Sequence, residues 1–481
     1  MRRTRRLLAV GTTIACVAAI IPAASGEPRP HFTPGLGGIG DPYFPLEGNG
    51  GYDAQHYDVG ISYDPATKRL DGTTYMTARA SQDLSRFDLD LQQLDVSKVT
   101  VDGRDAAFTH DGPELVITPR RGLPKNSRFV VAVTYGGVPQ TIVGSPVVFG
   151  SPYGFVHTDD GAFMGDEPNA SSTWFPSNDH PSDKAAFTFR VTVPKDLSVI
   201  ANGRLAWQRT QGDKATFVWD EKLPMATYLA TADIGRWDFK TGRTPGGIPE
   251  TVAVDPKLKG RDPNHPDPMA FFYDTTAEAT DLWAKTFGPY AFDSTGAIAD
   301  LATYNGRPIG FSLETQTRPL YSDVRNTTTI AHELAHQWFG DAVSVRTWNN
   351  IWLNESFATY AQWLWNEKHG GVSIHDQANA VYNAHPDTDS WWKVVIADPQ
   401  RDTMFHNRVY SGGAMVLQFL REKIGDAAFF TLLRTWYAQH KYGNVTTPEF
   451  TALAKQVSRQ DLDPFFKTWL HSPGRPALPQ S

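Results

Sequence analysis

Cysteine is all but missing from this chain. The one cysteine, Cys16, falls within the first 26 residues. Everything downstream lacks a thiol, which excludes disulfides, thiolate nucleophiles and cysteine-ligated metals there. Clustered positive charge is also missing: no basic cluster occurs outside residues 1–26, so nucleic acid and anionic membrane surfaces are poor partners. Internal repeats are absent, and no low-complexity tract occurs beyond a Pro/Gly-rich segment at 27–50. What remains, 20% charged and 40% hydrophobic residues, suits a globular protein with a large core.

The first stretch, MRRTRRLLAVGTTIACVAAIIPAASG, has Arg2, Arg3, Arg5 and Arg6, then an apolar run, then Ala23, Ala24, Ser25 and Gly26. That order is a secretory signal peptide over 1–26, cleaved near Ser25–Gly26, and it places the mature protein outside the cell. Gly11, Thr12, Thr13 and Pro22 interrupt the apolar run, which argues against stable membrane insertion. Apolar sequence continues past Cys16, which argues against a lipoprotein anchor. The paired arginines leave a twin-arginine route open. Cleavage lowers Lys+Arg from 45 to 41 against 52 Asp+Glu, a balance of −11. An exported chain without disulfides relies on its core and on any bound metal.

At 481 residues the chain is too long for one ordinary domain. After the extended lead-in at 27–50, residues 51–244 alternate with period two between turn residues, as in DVGISY (58–63), SKVTVDG (97–103), ELVITP (114–119), FVVAVTYGG (129–137) and AAFTFRVTVP (185–194). This predicts an all-β domain of antiparallel sheets. The texture changes near residue 245. Residues 245–475 read as a mixed domain, a few strands and then mainly helices at 268–288, 326–339, 354–369, 411–424, 427–440 and 447–457, followed by a tail at 476–481.

One of those helices contains AHELAHQWFG (331–340). Positions four apart share a helix face, so His332 and His336 can reach one ion, with Glu333 close enough to act on a water beside it. A catalytic zinc takes a third protein ligand and keeps one position open. The next helical stretch, NNIWLNESFATYAQWLW, offers Glu355, with Asn349 or Asn350 as its cap. A glutamate on that apolar side is costly unless paired or metal-bound.

HELAHQWFG followed by WLNESFATY closely resembles the gluzincin zinc aminopeptidases, the family of aminopeptidase N. That family separates its second histidine from a glutamate in a WLNEGFA-like word by eighteen residues, the spacing from His336 to Glu355 here. The resemblance spans roughly 45–475. It implies an N-terminal antiparallel β domain and a thermolysin-like, mainly helical catalytic domain, without the long C-terminal helical domain of larger members. It implies one Zn2+ per chain held by His332, His336 and Glu355, with Glu333 as general base. GFSLETQTRP (310–319) is similar to the family's GAMEN-like edge strand, which makes Glu314 a ligand of the substrate α-amine, although Phe311, Ser312, Leu313 and Thr315 depart from that word. DEPNASSTWFPSNDHPSDKAAF (166–187) resembles the segment that adds a second amine ligand, here Glu167. RVYSGGAMVLQFL resembles the Y-x-K-G-A word, which makes Tyr410 the oxyanion donor, with Ser411 and Gly412 as departures. Gln362 stands where the family often has an acid.

The implied function is removal of N-terminal residues from peptides with a free amine. Two other readings share these residues: a hydrolase of the same fold acting as an endopeptidase or epoxide hydrolase, and an inactive zinc-bound binding module. Intact Glu333 and Tyr410 argue against the second.

Overall fold

The computed structural model describes residues 31–478. The expected signal peptide over 1–26 and the last residues of the tail lie outside the described residues, and so does the export reading built on that leader.

The alternating stretches become strands because period two turns one row of side chains inward. Tyr52–Asp64 buries Tyr57, Val59, Ile61 and Tyr63, and Arg128–Gly137 buries Phe129, Val131, Val133 and Tyr135. They lie in an eight-stranded sheet ordered 204–211, 214–225, 185–194, 52–64, 69–80, 128–137, 95–101, 104–105. The sequence predicts antiparallel sheets, but this one is mixed: Ala185–Pro194 runs parallel to Tyr52–Asp64. Tight turns impose antiparallel neighbours, but these two strands are far apart in the chain and meet without a hairpin. A separate four-stranded sheet ordered 154–157, 162–165, 232–235, 198–201 carries Ala162–Gly165 and delivers the chain to Glu167.

Asp238–Arg243 turns back on Pro249–Val254, and this hairpin joins a second core sheet with Thr295–Ala299, Leu320–Tyr321 and the edge strand Ser312–Leu313. The helices follow: α1 (Pro268–Phe287), α2 (Thr327–His336), α3 (Trp352–Lys368), α4 (Ile374–Ala384), α5 (Gly413–Ile424), α6 (Asp426–His440), α7 (Thr447–Ser458) and α8 (Asp463–Trp469). Asp267 caps α1 ahead of Pro268, and Asn326 caps α2 by accepting from Thr329 N–H. α4 and α8 were not legible from periodicity. α3 is not capped by Asn349 or Asn350; both lie in a short 3-10 turn before it. The Asn350 Oδ1 instead accepts from Thr447 N–H and Oγ1 at the start of α7, so it ties two helices together.

The described part of the lead-in is pinned down. Asp41 accepts from Trp348 N–H and lies 3.1 Å from His180 Nε2, while Tyr43 Oη donates to Asp398 and accepts from Gln400 N–H. It thereby ties the β half to the helical half.

Candidate metal centre

α2 and α3 pack side by side, and their facing turns bring three ligand atoms together. His332 Nε2 and His336 Nε2 are 3.1 Å apart, and Glu355 Oε2 is 3.5 Å from each. Zinc at its usual bond lengths in a tetrahedron separates its ligand atoms by about 3.3 Å, so the three atoms already outline one face of that polyhedron. Two neutral imidazoles and a carboxylate are a donor set suited to zinc. The Phe339 carbonyl lies 3.0 Å from His336 Nδ1 and accepts its proton, which leaves the Nε2 lone pair facing the centre. Gln362 stands beside the His332 ring and reaches Thr328 Oγ1. An amide, not an acid, therefore stands beside His332.

Charge at the centre is lopsided. Glu167, Glu314, Glu333 and Glu355 all converge here and all are buried or nearly so. Burial alone would raise Glu355, yet His336 and hydrogen bonds from both imidazoles hold it at about 2. Burial pushes Glu333 and Glu167 well up, with neighbouring carboxylates adding to it, and Glu314 is raised for the same reasons against the pull of His336. Burial would lower His336, but the Glu314 and Glu355 carboxylates raise it well above its usual value. A site this short of positive charge fits a divalent cation together with a second, singly charged one.

The site residues read from sequence come to one place. Glu314, Glu333 and His336 form one cluster of mutually close donor atoms, and Glu167, Glu314 and Glu355 another. The Tyr410 ring lies parallel to that of His332, centroids 6.1 Å apart, and burial among carboxylates raises its phenol well above the usual value, which keeps the hydroxyl protonated. Gln337, which sequence reasoning passed over, positions Glu314: its Nε2 donates to the Glu314 carbonyl at 3.2 Å and its Oε1 accepts from Thr317 N–H at 2.7 Å. Its place next to His336 on α2 was the available signal. Tyr228, also missed, is buried beside Glu314 and Glu167.

A cleft of about 230 Å³ opens from this centre, with Glu167 and Tyr410 in its wall together with Phe149, Phe311, Leu313 and Phe405.

Known proteins share this fold. Residues 53–229 match the peptidase M1 N-terminal domain and residues 292–469 the peptidase family M1 domain. Probable aminopeptidase 2 of Sulfurisphaera tokodaii is 27% identical over 63% of this chain and 40% of its own. Aminopeptidase N of Lactococcus lactis is 24% identical over 88% of this chain and 51% of its own. The chain thus spans about half or less of the length of these curated relatives. A solved M1 zinc metallopeptidase from Deinococcus radiodurans superposes with a TM-score of 0.82 at 27% identity, covering 92% of this chain and 99% of that one. A mutant of that protein has been solved with a Tyr-Ser-Ala substrate. With both family domains present in order and a zinc metallopeptidase matched along nearly its whole length, the chain belongs to peptidase family M1.

Proposed function

We propose that this protein is a zinc aminopeptidase that removes the first residue from peptides with a free N-terminus. The observation that carries this is the convergence of Glu167 and Glu314 on the metal ligand Glu355. Hydrolysis needs only the metal ligands and a base. Two further buried carboxylates beside them call for a cation, and a substrate α-ammonium is one.

His332, His336 and Glu355 hold the metal in this reading. Zinc bound there supplies Lewis acidity, polarising a scissile carbonyl and acidifying a water. Glu333 takes the proton of the attacking water at its carboxylate and returns it to the departing amine. The Tyr410 hydroxyl donates to the oxygen on which negative charge develops. Glu314 and Glu167 hold the α-ammonium, which fixes the register so that the bond after the first residue lies at the centre. Glu167 comes from the β domain and all other groups from the catalytic domain, which takes in the strand Asp238–Arg243 and so begins before residue 245.

The arginines and apolar run of residues 1–26 support export by a signal peptide. No helix among the described residues is long and apolar enough to cross a membrane.

Metal analysis combined with paired free and N-acetylated aminoacyl substrates tests the reading. One zinc per chain and cleavage of the free member only is the expected result. Equal cleavage of both members would make the protein an endopeptidase.

A further inference from the structure

The chemistry of the centre does not say which first residue it prefers; the cleft beside it does. Val148, Phe149, Phe311, Leu313 and Phe405 supply its apolar wall, and Glu167 is the one charged side chain lining it among the described residues. Phe311 and Leu313 lie on the segment that leads directly into Glu314, and Phe405 lies five positions before Tyr410. The cleft therefore begins where the substrate α-amine would be held. Resting on the aminopeptidase reading, we infer that this cleft receives the side chain of the first substrate residue and selects bulky apolar and aromatic side chains over small and charged ones.

The walls are fixed at the back and open at the front. Phe405 and Leu313 are buried, and the Phe311 ring packs edge-on against Phe163 at 5.8 Å while lying over Gly165, where a Cβ would sit 2.9 Å from the ring. Gly165 is thus needed to let Phe311 lie flat against the sheet. Phe149 is 71% exposed and sits at the tip of a turn with φ 54°, a conformation unfavourable for a bulky side chain. Hydrogen bonds from Phe149 N–H to Pro146 O and from Gly150 N–H to Ser145 O hold the turn in that shape. An exposed phenylalanine held over an apolar cleft gains by covering an apolar guest. The space, about 230 Å³, is several times the roughly 30 Å³ of one water and admits a leucine or phenylalanine side chain. Once Glu167 is committed to the α-ammonium, no acid in the wall remains for a lysine or arginine side chain, and a glutamate side chain is repelled.

The zinc-loaded protein is assayed on coumarin amides of phenylalanine, leucine, alanine, lysine and glutamate. Expected kcat/KM for phenylalanine and leucine exceeds that for alanine, lysine and glutamate at least tenfold, in the range that added methylenes in an apolar pocket provide. Phe149→Ala, at an exposed position that tolerates truncation, should reduce the phenylalanine-to-alanine ratio at least fivefold. Phe149→Glu should raise lysine relative to phenylalanine. A flat profile across the five substrates, or ratios unmoved by both variants, overturns the pocket assignment. Failure to cleave any of the five with zinc bound overturns the aminopeptidase reading instead.

Discussion

At the scale of single residues, the proposed mechanism divides the centre into groups that would bind the metal and groups that would act beside it, and the two classes should fail differently when changed. Glu333→Gln preserves shape and leaves the His332, His336 and Glu355 donors in place, so zinc content should stay near one per chain. Removal of the acceptor should lower kcat by roughly 10²–10⁴, the usual range for a general base; wild-type turnover with full zinc would dismiss Glu333 as the base. Tyr410→Phe keeps the ring against His332 and removes only the donor. It should lower kcat by about 10²–10³ with little change in KM, and a change confined to KM would make Tyr410 a binding residue. The histidine pair was the most legible part of the candidate site because helix geometry alone dictates that His332 and His336 share a face. Glu314 and Glu167 were legible only through resemblance, since nothing local says that a strand edge and a loop of another domain will meet. Gln337 went unread because its place beside His336 was the one local signal, and the carbonyl it clamps lies 23 positions away in the chain.

At the scale of elements, the turn that carries Tyr410 shows why the departure at Gly412 does not disrupt it. Arg408–Gly412 forms a π-helical turn leading into α5. A Cβ on Gly412 would sit 2.9 Å from Arg408 Cδ and Nη1, so the missing side chain makes room for the Arg408 guanidinium. That guanidinium is buried with Trp391 and Trp392, 4.5 Å from each ring centroid. The turn is also tied to the metal side. Ser356, the residue after the ligand Glu355, donates to the Val409 carbonyl at 2.7 Å, at a point where a Cβ on Gly413 would clash with it. Ser356→Ala removes that hydrogen bond, at a cost of about 0.5–1.5 kcal/mol, which in a chain of this size corresponds to a fall of about 1 °C in Tm. Because Tyr410 is the next residue, kcat should fall as well while zinc content holds. Thermal melts and steady-state rates on the same preparation check both, and a variant unchanged in each would show that the bond positions nothing. Periodicity read the regular parts of α1, α3, α5, α6 and α7 to within a few residues, because long amphipathic runs declare themselves. It missed α4 and α8, which are short, and it misread the role of Asn350, whose partner is Thr447 on another element.

At the scale of the whole molecule, the lack of disulfides places stability on the core and on polar groups buried inside it. Several of those are carboxyls held in their neutral form. Burial raises Asp183 to about 7, and it raises Asp233 and Glu221 to about 8 each, against their hydrogen bonds. An unfolded chain ionises such groups near pH 4. Between about pH 4 and 8 the unfolded state therefore releases protons that the folded state retains, so this contribution to stability is whole at the acid end and is lost as the pH rises through the folded values. Glu355, held at about 2, contributes in the opposite sense below pH 5; within the higher window His56 and His157, lowered by burial, and Lys184, lowered by burial to about 7, oppose the raised carboxyls in part. Melting temperature should accordingly fall by several degrees from pH 5 to pH 8 at constant ionic strength and zinc. Asp233 offers the cleanest control, because it accepts from Met164 N–H at 2.6 Å and from Thr231 Oγ1 at 3.1 Å, far from any ligand of the metal in the chain. Asp233→Asn keeps an acceptor oxygen at that position and removes the titration, so it should flatten part of the slope. A wild-type melting temperature constant across that range would mean that these carboxyls are ionised in the fold and that water or a cation reaches them.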